Sequence, residues 1–327
     1  MAAYLAVAIS FPLLHSSATA LQLVDVREAP GLNSPSLEAP SWVSEDGLYA
    51  VIESTRSSGS STLYDLFEAE RYSIDEPFST PSQGDFRDIN LVPRNAGFAV
   101  VSSDELELFY GQEIVANSVG IPVTGTTGNM YRSVRDTVDE AWPVGTRQSA
   151  IHSLGDHIRP LALSTDGLRL YLSVGPPPAR QTPDWDLWVV SRSSTQDEFL
   201  PSNAEVLASL NSDASESELT ISSDETTVII SSSRPGVGGA DLWYSTRDSI
   251  DDAFSPPSLL PGANTSFSDR RPVLAGSQLF FSSTRSGEQQ IYVGTLIPEP
   301  GSLGIAVCGV IAAQLLGVRR SRSKINP

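Results

Sequence analysis

Six charged residues recur at the start of successive repeats of this sequence, and they are its best candidates for chemistry. Paired carboxylates can act as acid and base in glycoside hydrolysis, and polar groups that converge can together bind one ligand. Acidic residues are abundant throughout the chain, so their presence alone meets only a requirement of composition. The alternative is that the charges pair with one another, Asp156 with Arg159 and Asp269 with Arg270. The candidate ligand-site residues are Glu38, Asp156, Arg159, Glu218, Asp269 and Arg270.

Other kinds of chemistry lack the residues they need. The single cysteine, Cys308, lies in an apolar stretch, and the single lysine, Lys324, lies beyond it, which excludes thiolate sites and lysine Schiff bases from the rest of the chain. After the first 20 residues only His152 and His157 remain, too few for a zinc site, and we interpret them as surface residues. No nucleotide-binding or metal-binding motif occurs. We therefore predict no cofactor and no metal.

The net charge is strongly negative. The chain has 39 acidic and 21 basic residues and a formal charge of −18, although four of the basic residues cluster at the C-terminus. A surface this acidic repels phosphate backbones. We therefore predict that the protein binds no nucleic acid.

A turn of the form Ser-x-Asp-Gly or Ser-x-Asp-Glu recurs along the chain and organises it. Its aspartates, Asp46, Asp104, Asp166 and Asp224, are 58, 62 and 58 residues apart. A fifth copy keeps only the strand that follows, Leu279 to Arg285. Asp-Gly and Asp-Glu pairs favour turns between strands. Each unit has room for four short strands, so the spacing predicts five similar β-rich repeats.

Two further patterns recur in these units. In four of them an arginine lies seven residues before an aromatic residue, with acidic residues between: Arg71 to Phe78, Arg135 to Trp142, Arg192 to Phe199 and Arg247 to Phe254. We interpret this as an outer hairpin whose aromatic residue anchors the last strand. In three units an arginine follows the second strand, namely Arg56, Arg234 and Arg285. We expect these arginines to bond backbone carbonyls between repeats rather than an anionic ligand.

Repeated four-stranded units are typical of β-propeller blades, since a radial arrangement leaves few exposed strand edges. The Ser-x-Asp-Gly turn, the apolar strand after it and the Asp-Leu-Trp strands at Asp186 and Asp241 resemble the WD40-like repeats of TolB-type propellers. We predict an all-β, five-bladed propeller over residues 21–297, with six blades less favoured. Residues 21–26 would supply the strand that closes the ring, and the six charged residues would lie at the mouth of its central channel.

The two ends of the chain indicate export. Residues 1–20 are apolar and end in Ala18-Thr19-Ala20, a small-x-small cleavage pattern, so we predict a signal peptide. Residues 301–318 carry no charge and would span a bilayer as a single transmembrane helix. This tail resembles the PEP-CTERM sorting signal, with Pro298, Glu299 and Pro300 before the span and Arg319, Arg320 and Arg322 after it. The resemblance implies processing by an exosortase and a body outside the cytoplasm, held at the cell envelope.

Three classes of function remain open for the body. The favoured one is a non-enzymatic binding or scaffold protein whose partner is an extracellular polysaccharide or another envelope protein. The second is a glycan-cleaving enzyme that uses carboxylates of the channel. The third is an envelope assembly factor, which rests on analogy with TolB.

Overall fold

The computed structural model describes residues 20–56, 64–90, 95–113, 128–175 and 185–299. These residues form five antiparallel sheets, one for each predicted repeat. Blade one contains β2 (Glu38–Val43), β3 (Tyr49–Ser54) and β4 (Asp65–Glu70); blade two β5 (Asn95–Val101), β6 (Glu107–Glu113), β7 (Gly128–Val134) and β8 (Thr146–Arg147); blade three β9 (His157–Leu163), β10 (Arg169–Gly175), β11 (Asp186–Ser191) and β12 (Ala204–Val206); blade four β13 (Glu216–Ile221), β14 (Thr227–Ser232), β15 (Asp241–Thr246) and β16 (Ser258–Leu259); blade five β17 (Asp269–Ala275), β18 (Gln278–Ser283), β19 (Gln290–Pro298) and β1 (Leu21–Glu28).

Helices are short and lie between the strands. One α-helical turn, α1, spans Arg87–Asn90, and 3-10 turns span Gly84–Phe86, Ala150–Ser153 and Pro201–Asn203. No helix of the described residues is long and apolar enough to cross a membrane. The predicted signal peptide before residue 20 and the predicted span at 301–318 lie outside the described residues.

The five sheets close into a ring around a central channel. Their innermost strands β2, β5, β9, β13 and β17 contact one another in cyclic order, with β17 returning to β2. Five apolar clusters form the core, each between two neighbouring blades. The second strand of each blade is covered on both sides, which is why β3 is buried at all six positions and reads as an apolar run rather than an alternating one. The predicted five-bladed propeller is confirmed.

The ring is closed by the N-terminal strand, as predicted. Strand β1 pairs antiparallel with β19 and forms the outermost strand of blade five, with Leu21 opposite Pro298. The backbone N–H of Glu299 also donates to the carbonyl of Ala20 at 2.8 Å. The N-terminal end of β1 and the start of the predicted sorting tail therefore lie side by side at blade five.

The recurring turn has the same hydrogen bonds in four blades. In each turn the serine hydroxyl donates to the aspartate carboxylate, at 2.6 Å between Ser44 and Asp46 and 2.5 Å between Ser164 and Asp166. The residue after the aspartate is left-handed, with φ of 72° at Gly47 and 58° at Glu105. Glycine adopts that conformation without penalty, and the serine–aspartate network holds glutamate there in the other two turns.

In the four units with the arginine–aromatic spacing, the arginine packs on the aromatic ring and bonds to this turn. We call this pair of contacts the clamp. The guanidinium of Arg192 lies 4.5 Å from the ring centroid of Phe199, and its Nε donates to the carbonyl of Gly167 at 2.8 Å. The same two contacts recur in the other three units that carry the pattern. The aromatic residues are buried, as the predicted anchor requires. Arg71, Arg135 and Arg192 are buried as well, which was not predicted from sequence.

Candidate functional site

Two of the six candidate ligand-site residues are structural. Glu38 and Asp269 are fully buried at the first positions of β2 and β17. Glu38 pairs with Arg56 at 2.9 Å and Asp269 with Arg285 at 2.6 Å, and Glu216 repeats the arrangement with Arg234. The alternative pairing of Asp269 with Arg270 is therefore wrong, because the arginine after the second strand reaches Asp269 instead.

The same arginines connect neighbouring blades. Arg56 donates to the carbonyl of Leu32 and Arg285 to that of Ala263, at 2.8 and 2.6 Å, and each carbonyl lies in the linker from the preceding blade. The expected carbonyl bonding is confirmed. Burial, opposed by Ser34 and Arg56, raises the pKa of Glu38.

Asp156 lies in the segment before β9, between the two histidines. It is half-buried, and its charge acts on His152, whose pKa is lowered by burial first and then by Arg147, while Asp156 opposes the shift. Both histidines accept backbone N–H groups of β7: His152 from Met130 at 3.2 Å and His157 from Gly128 at 3.1 Å. The interpretation of the histidines as surface residues is wrong, since both are half-buried in the contact between blades two and three.

The innermost strands line a small space in the channel, which we call the waist. Register irregularities interrupt the pairing of all five innermost strands, and three of these strands contain a proline, which an edge strand tolerates because its outer N–H groups have no ladder partner. The space at the waist is about 20 Å³. Its lining comes from every blade: Pro40, Ser41 and Glu53, Phe98, Pro160 and Leu161, Glu218 and Leu219, and Arg271, Pro272 and Val273.

The remaining predicted residues belong to a charged group that we call the channel cluster, defined as Glu53, Arg159, Glu218, Arg270 and Arg271. Arg271 Nη1 lies 2.5 Å from Glu53 Oε2. Arg270 Nη2 lies 3.2 Å from Glu218 Oε1, and the backbone N–H of Arg271 donates to Glu218 Oε2 at 3.4 Å. The cluster therefore links blades one, four and five across the ring.

Phe98 of blade two lies between the arginines of the cluster. Its ring centroid is 4.1 Å from the Cζ of Arg271 and 4.6 Å from that of Arg159, and Arg159 also lies 3.9 Å from the ring centroid of Trp185. Guanidinium groups are attracted to aromatic faces in such positions. Phe98 and Arg271 have φ of 54° and 52°, a left-handed conformation that is unusual for bulky residues and that often accompanies functional sites.

The carboxylate of Glu218 is held in its ionised form, and that of Glu53 is occupied as a hydrogen-bond acceptor. Burial alone would raise the pKa of Glu218, but Arg270 and Arg271 outweigh it and hold the pKa below its usual value. Glu53 is 1% exposed and accepts from Ser41 Oγ at 3.2 Å and from the Phe98 N–H at 2.5 Å, besides pairing with Arg271. Neither group is arranged as a proton donor.

A second space, which we call the side cavity, lies beside the waist between blades one, two and three. It measures about 130 Å³ and shares Glu53, Phe98 and Arg271 with the waist. Three glycines of blade two contribute no side chains to its wall. The rest of the lining is Tyr64, Ala96, Gly97, Gly111, Gln112, Gly128, Ile158 and Arg159.

The structure thus brings Arg159, Glu218 and Arg270 together and separates them from Glu38, Asp156 and Asp269. Whether the six residues bind a ligand stays a prediction. Glu53, Phe98 and Arg271 were not predicted from the sequence as site residues. Glu53 could have been noticed, since it is the one acidic residue in the apolar run of β3.

Known proteins resemble this chain in fold. No protein-family model and no curated protein matches it. A Dyadobacter fermentans protein of unknown function has a TM-score of 0.53 at 11% identity, covering 85% of this chain and 99% of that one. A glycoside hydrolase has a TM-score of 0.53 at 10% identity, with 85% and 93% covered. TolB from Acinetobacter baumannii has a TM-score of 0.41 at 11% identity over 81% of this chain, which spans 56% of that protein.

At these identities the likeness is one of fold alone. The five sheets and their cyclic contacts describe that fold directly. The predicted five-bladed propeller therefore holds at the level of architecture, and nothing about ligand or activity follows from the likeness.

Proposed function

We propose that this protein is a non-enzymatic binding protein, displayed at the cell envelope, whose ligand site is the mouth of its central channel. One observation carries the proposal. In a chain of net charge −18, the guanidinium groups of Arg159, Arg270 and Arg271 gather at the channel beside the carboxylates of Glu53 and Glu218. Concave sites with a few converging polar groups are where ligands usually bind.

The state of the carboxylates favours binding over cleavage. Glycoside hydrolysis needs one carboxyl group that is protonated and another that is free to attack or to activate water. Glu218 is held ionised by arginines, and Glu53 already accepts from three different groups. A polysaccharide segment or an envelope protein can still contact the exposed part of Arg270, whose side chain is 46% exposed.

The proposed location rests on the two ends of the chain. A cleaved signal peptide at 1–20 and an exosortase-processed tail at 298–327 would leave the propeller outside the cytoplasm. The pairing of Leu21 with Pro298 supports this arrangement. Because the two ends of the propeller domain lie side by side, a single membrane attachment after Pro298 would hold the whole ring. A reporter fused after Glu299 should be reached by added protease in intact cells, and protection of the reporter inside the cytoplasm would contradict the topology.

Binding can be tested on the purified protein with an array of neutral and acidic glycans, followed by calorimetry on the hits. Arg270→Gln should weaken binding at least tenfold, because it removes the most exposed cation of the channel. The matched control is Arg27→Gln, an exposed arginine on the outer strand of blade five. Equal effects of the two variants, or cleavage of a bound glycan, would contradict the proposal.

A further inference from the structure

We propose that the side cavity is a subsite for a single carboxylate group, so that the ligand of the channel is an acidic sugar. This inference rests on the proposed function of the channel as a ligand site. The cavity of about 130 Å³ is smaller than the ~300–1,000 Å³ of sites that enclose drug-sized ligands. It therefore suits one small unit, such as one ring of a longer chain.

An unused donor in the cavity wall points to an acceptor on the ligand. Gln112 is 2% exposed, and within the described part of the chain its Nε2 has no hydrogen-bond partner. A buried amide without a partner destabilises a fold. Gln112 lines the cavity beside Gly111, so an acceptor placed there would satisfy it.

The charges of the wall favour a monoanion. The side chains of Arg159 and Arg271 are positive and that of Glu53 is negative, which leaves a single positive charge. Tyr64 stays neutral, since burial raises its pKa. One carboxylate balances this wall, whereas a phosphate dianion would leave excess negative charge in a confined space.

The guanidinium of Arg271 can take part without losing its structural contact. Its ion pair with Glu53 uses Nη1, and no further guanidinium hydrogen bond is found among the described residues. A guanidinium has five N–H donors in a plane and matches the two oxygens of a carboxylate. Arg271 is already positioned by Phe98 and by its left-handed backbone, so little side-chain freedom remains to be lost on binding.

The glycines keep the subsite open. A Cβ at Gly111 would lie 3.4 Å from the Gly97 carbonyl oxygen and 3.6 Å from Phe98 Cδ2, which are ordinary contacts. Gly111→Ala should therefore fold normally and narrow the cavity. At Gly97 a Cβ would lie 2.7 Å from Glu53 Oε2, so that glycine is required by the cluster itself.

The test compares D-glucuronate, D-glucose and glucose 6-phosphate by calorimetry on the full chain. We expect glucuronate to bind at least tenfold more tightly than either of the others. Gln112→Leu should weaken glucuronate binding at least tenfold while the melting temperature stays equal or rises, because the variant removes a donor that has no partner. Gly111→Ala should weaken binding similarly without a loss of melting temperature.

The matched control is Gln290→Leu. Gln290 is also buried, at 8% exposure, but its Nε2 donates to the Ser36 carbonyl at 2.9 Å. This variant should lower the melting temperature and leave glucuronate affinity unchanged.

Three outcomes would overturn the subsite while the proposed function stands: equal affinity for glucose and glucuronate, tighter binding of glucose 6-phosphate, or glycan binding that is insensitive to Gln112→Leu and Gly111→Ala. Absence of binding to the three probes and to every glycan of the array would overturn the subsite and the proposed function together.

Discussion

The ion pair between Glu53 and Arg271 should be among the most important polar contacts for stability. Glu53 is 1% exposed and the Arg271 side chain 18%. Glu53 also accepts from Ser41 and Phe98, so one carboxylate connects blades one, two and five. Removing one partner of a buried pair leaves the other charge uncompensated, which costs about 3–5 kcal/mol. We expect Glu53→Gln to lower the free energy of unfolding by about this amount.

The assay is denaturant unfolding followed by tryptophan fluorescence and circular dichroism, with agreement between the two probes as the test of two-state behaviour. The control is Glu28→Gln, which removes an exposed carboxylate from the outer strand of blade five. Surface substitutions of this kind usually change the free energy of unfolding by less than about 0.5 kcal/mol. The double variant Glu53→Gln with Arg271→Met should cost less than the sum of the single variants. A loss of unfolding free energy at Glu53→Gln no greater than at Glu28→Gln would refute the reasoning.

Three further predictions concern the ring and its titration. Deletion of Leu21–Glu28 should abolish cooperative unfolding or lower the melting temperature sharply, since it removes the outermost strand of blade five; unchanged melting would contradict closure by β1. Arg192→Leu should lower the free energy of unfolding by about 2–4 kcal/mol, because it removes one of the two arginines that pair with the buried Glu107 and also the contacts that hold the turn. The exposed Arg27→Leu should cost under ~0.5 kcal/mol. Burial lowers the pKa of His152 in the folded protein, so the unfolded chain binds the proton more tightly. The contribution of His152 to stability is complete above the ordinary pKa of about 6.5 and is lost as the pH falls through the lowered folded-state pKa. His152→Gln should therefore reduce the slope of the unfolding free energy against pH just below pH ~6.5, and an unchanged slope would contradict the assignment.

Much of the fold could be predicted because its signals are local. The Ser-x-Asp turn is complete within four residues, and its hydrogen bonds form inside that segment. The spacing of these turns predicted the number of blades, and residues 21–26 could be predicted to close the ring because the repeat pattern of blade five ends near Leu296 with its fourth strand still missing. The buried aromatic residue at the end of each clamp was also predictable, because an aromatic at a repeated position implies repeated packing.

The site was less predictable because its residues meet only when the ring closes. Glu53 and Arg271 are far apart in sequence and lie in blades one and five, and Phe98 enters from a third blade. Position within a repeat suggested that Glu38 and Asp269 face a ligand, but the arginines after the second strands bury and neutralise them.

A prediction of which side chains face the channel assumes regular strand pairing, but each innermost strand contains a register irregularity. The irregularity at Phe98 turns one side chain into the channel and leaves Gly97 and Gly111 to open the cavity beside it. The sequence by itself determined the repeated turns, the five blades and the strand that closes them, because those depend on contacts within a repeat. Only the tertiary structure decided which charged residues are buried in structural ion pairs and which line the channel. The positions of these side chains depend on how five irregular strands meet around one axis.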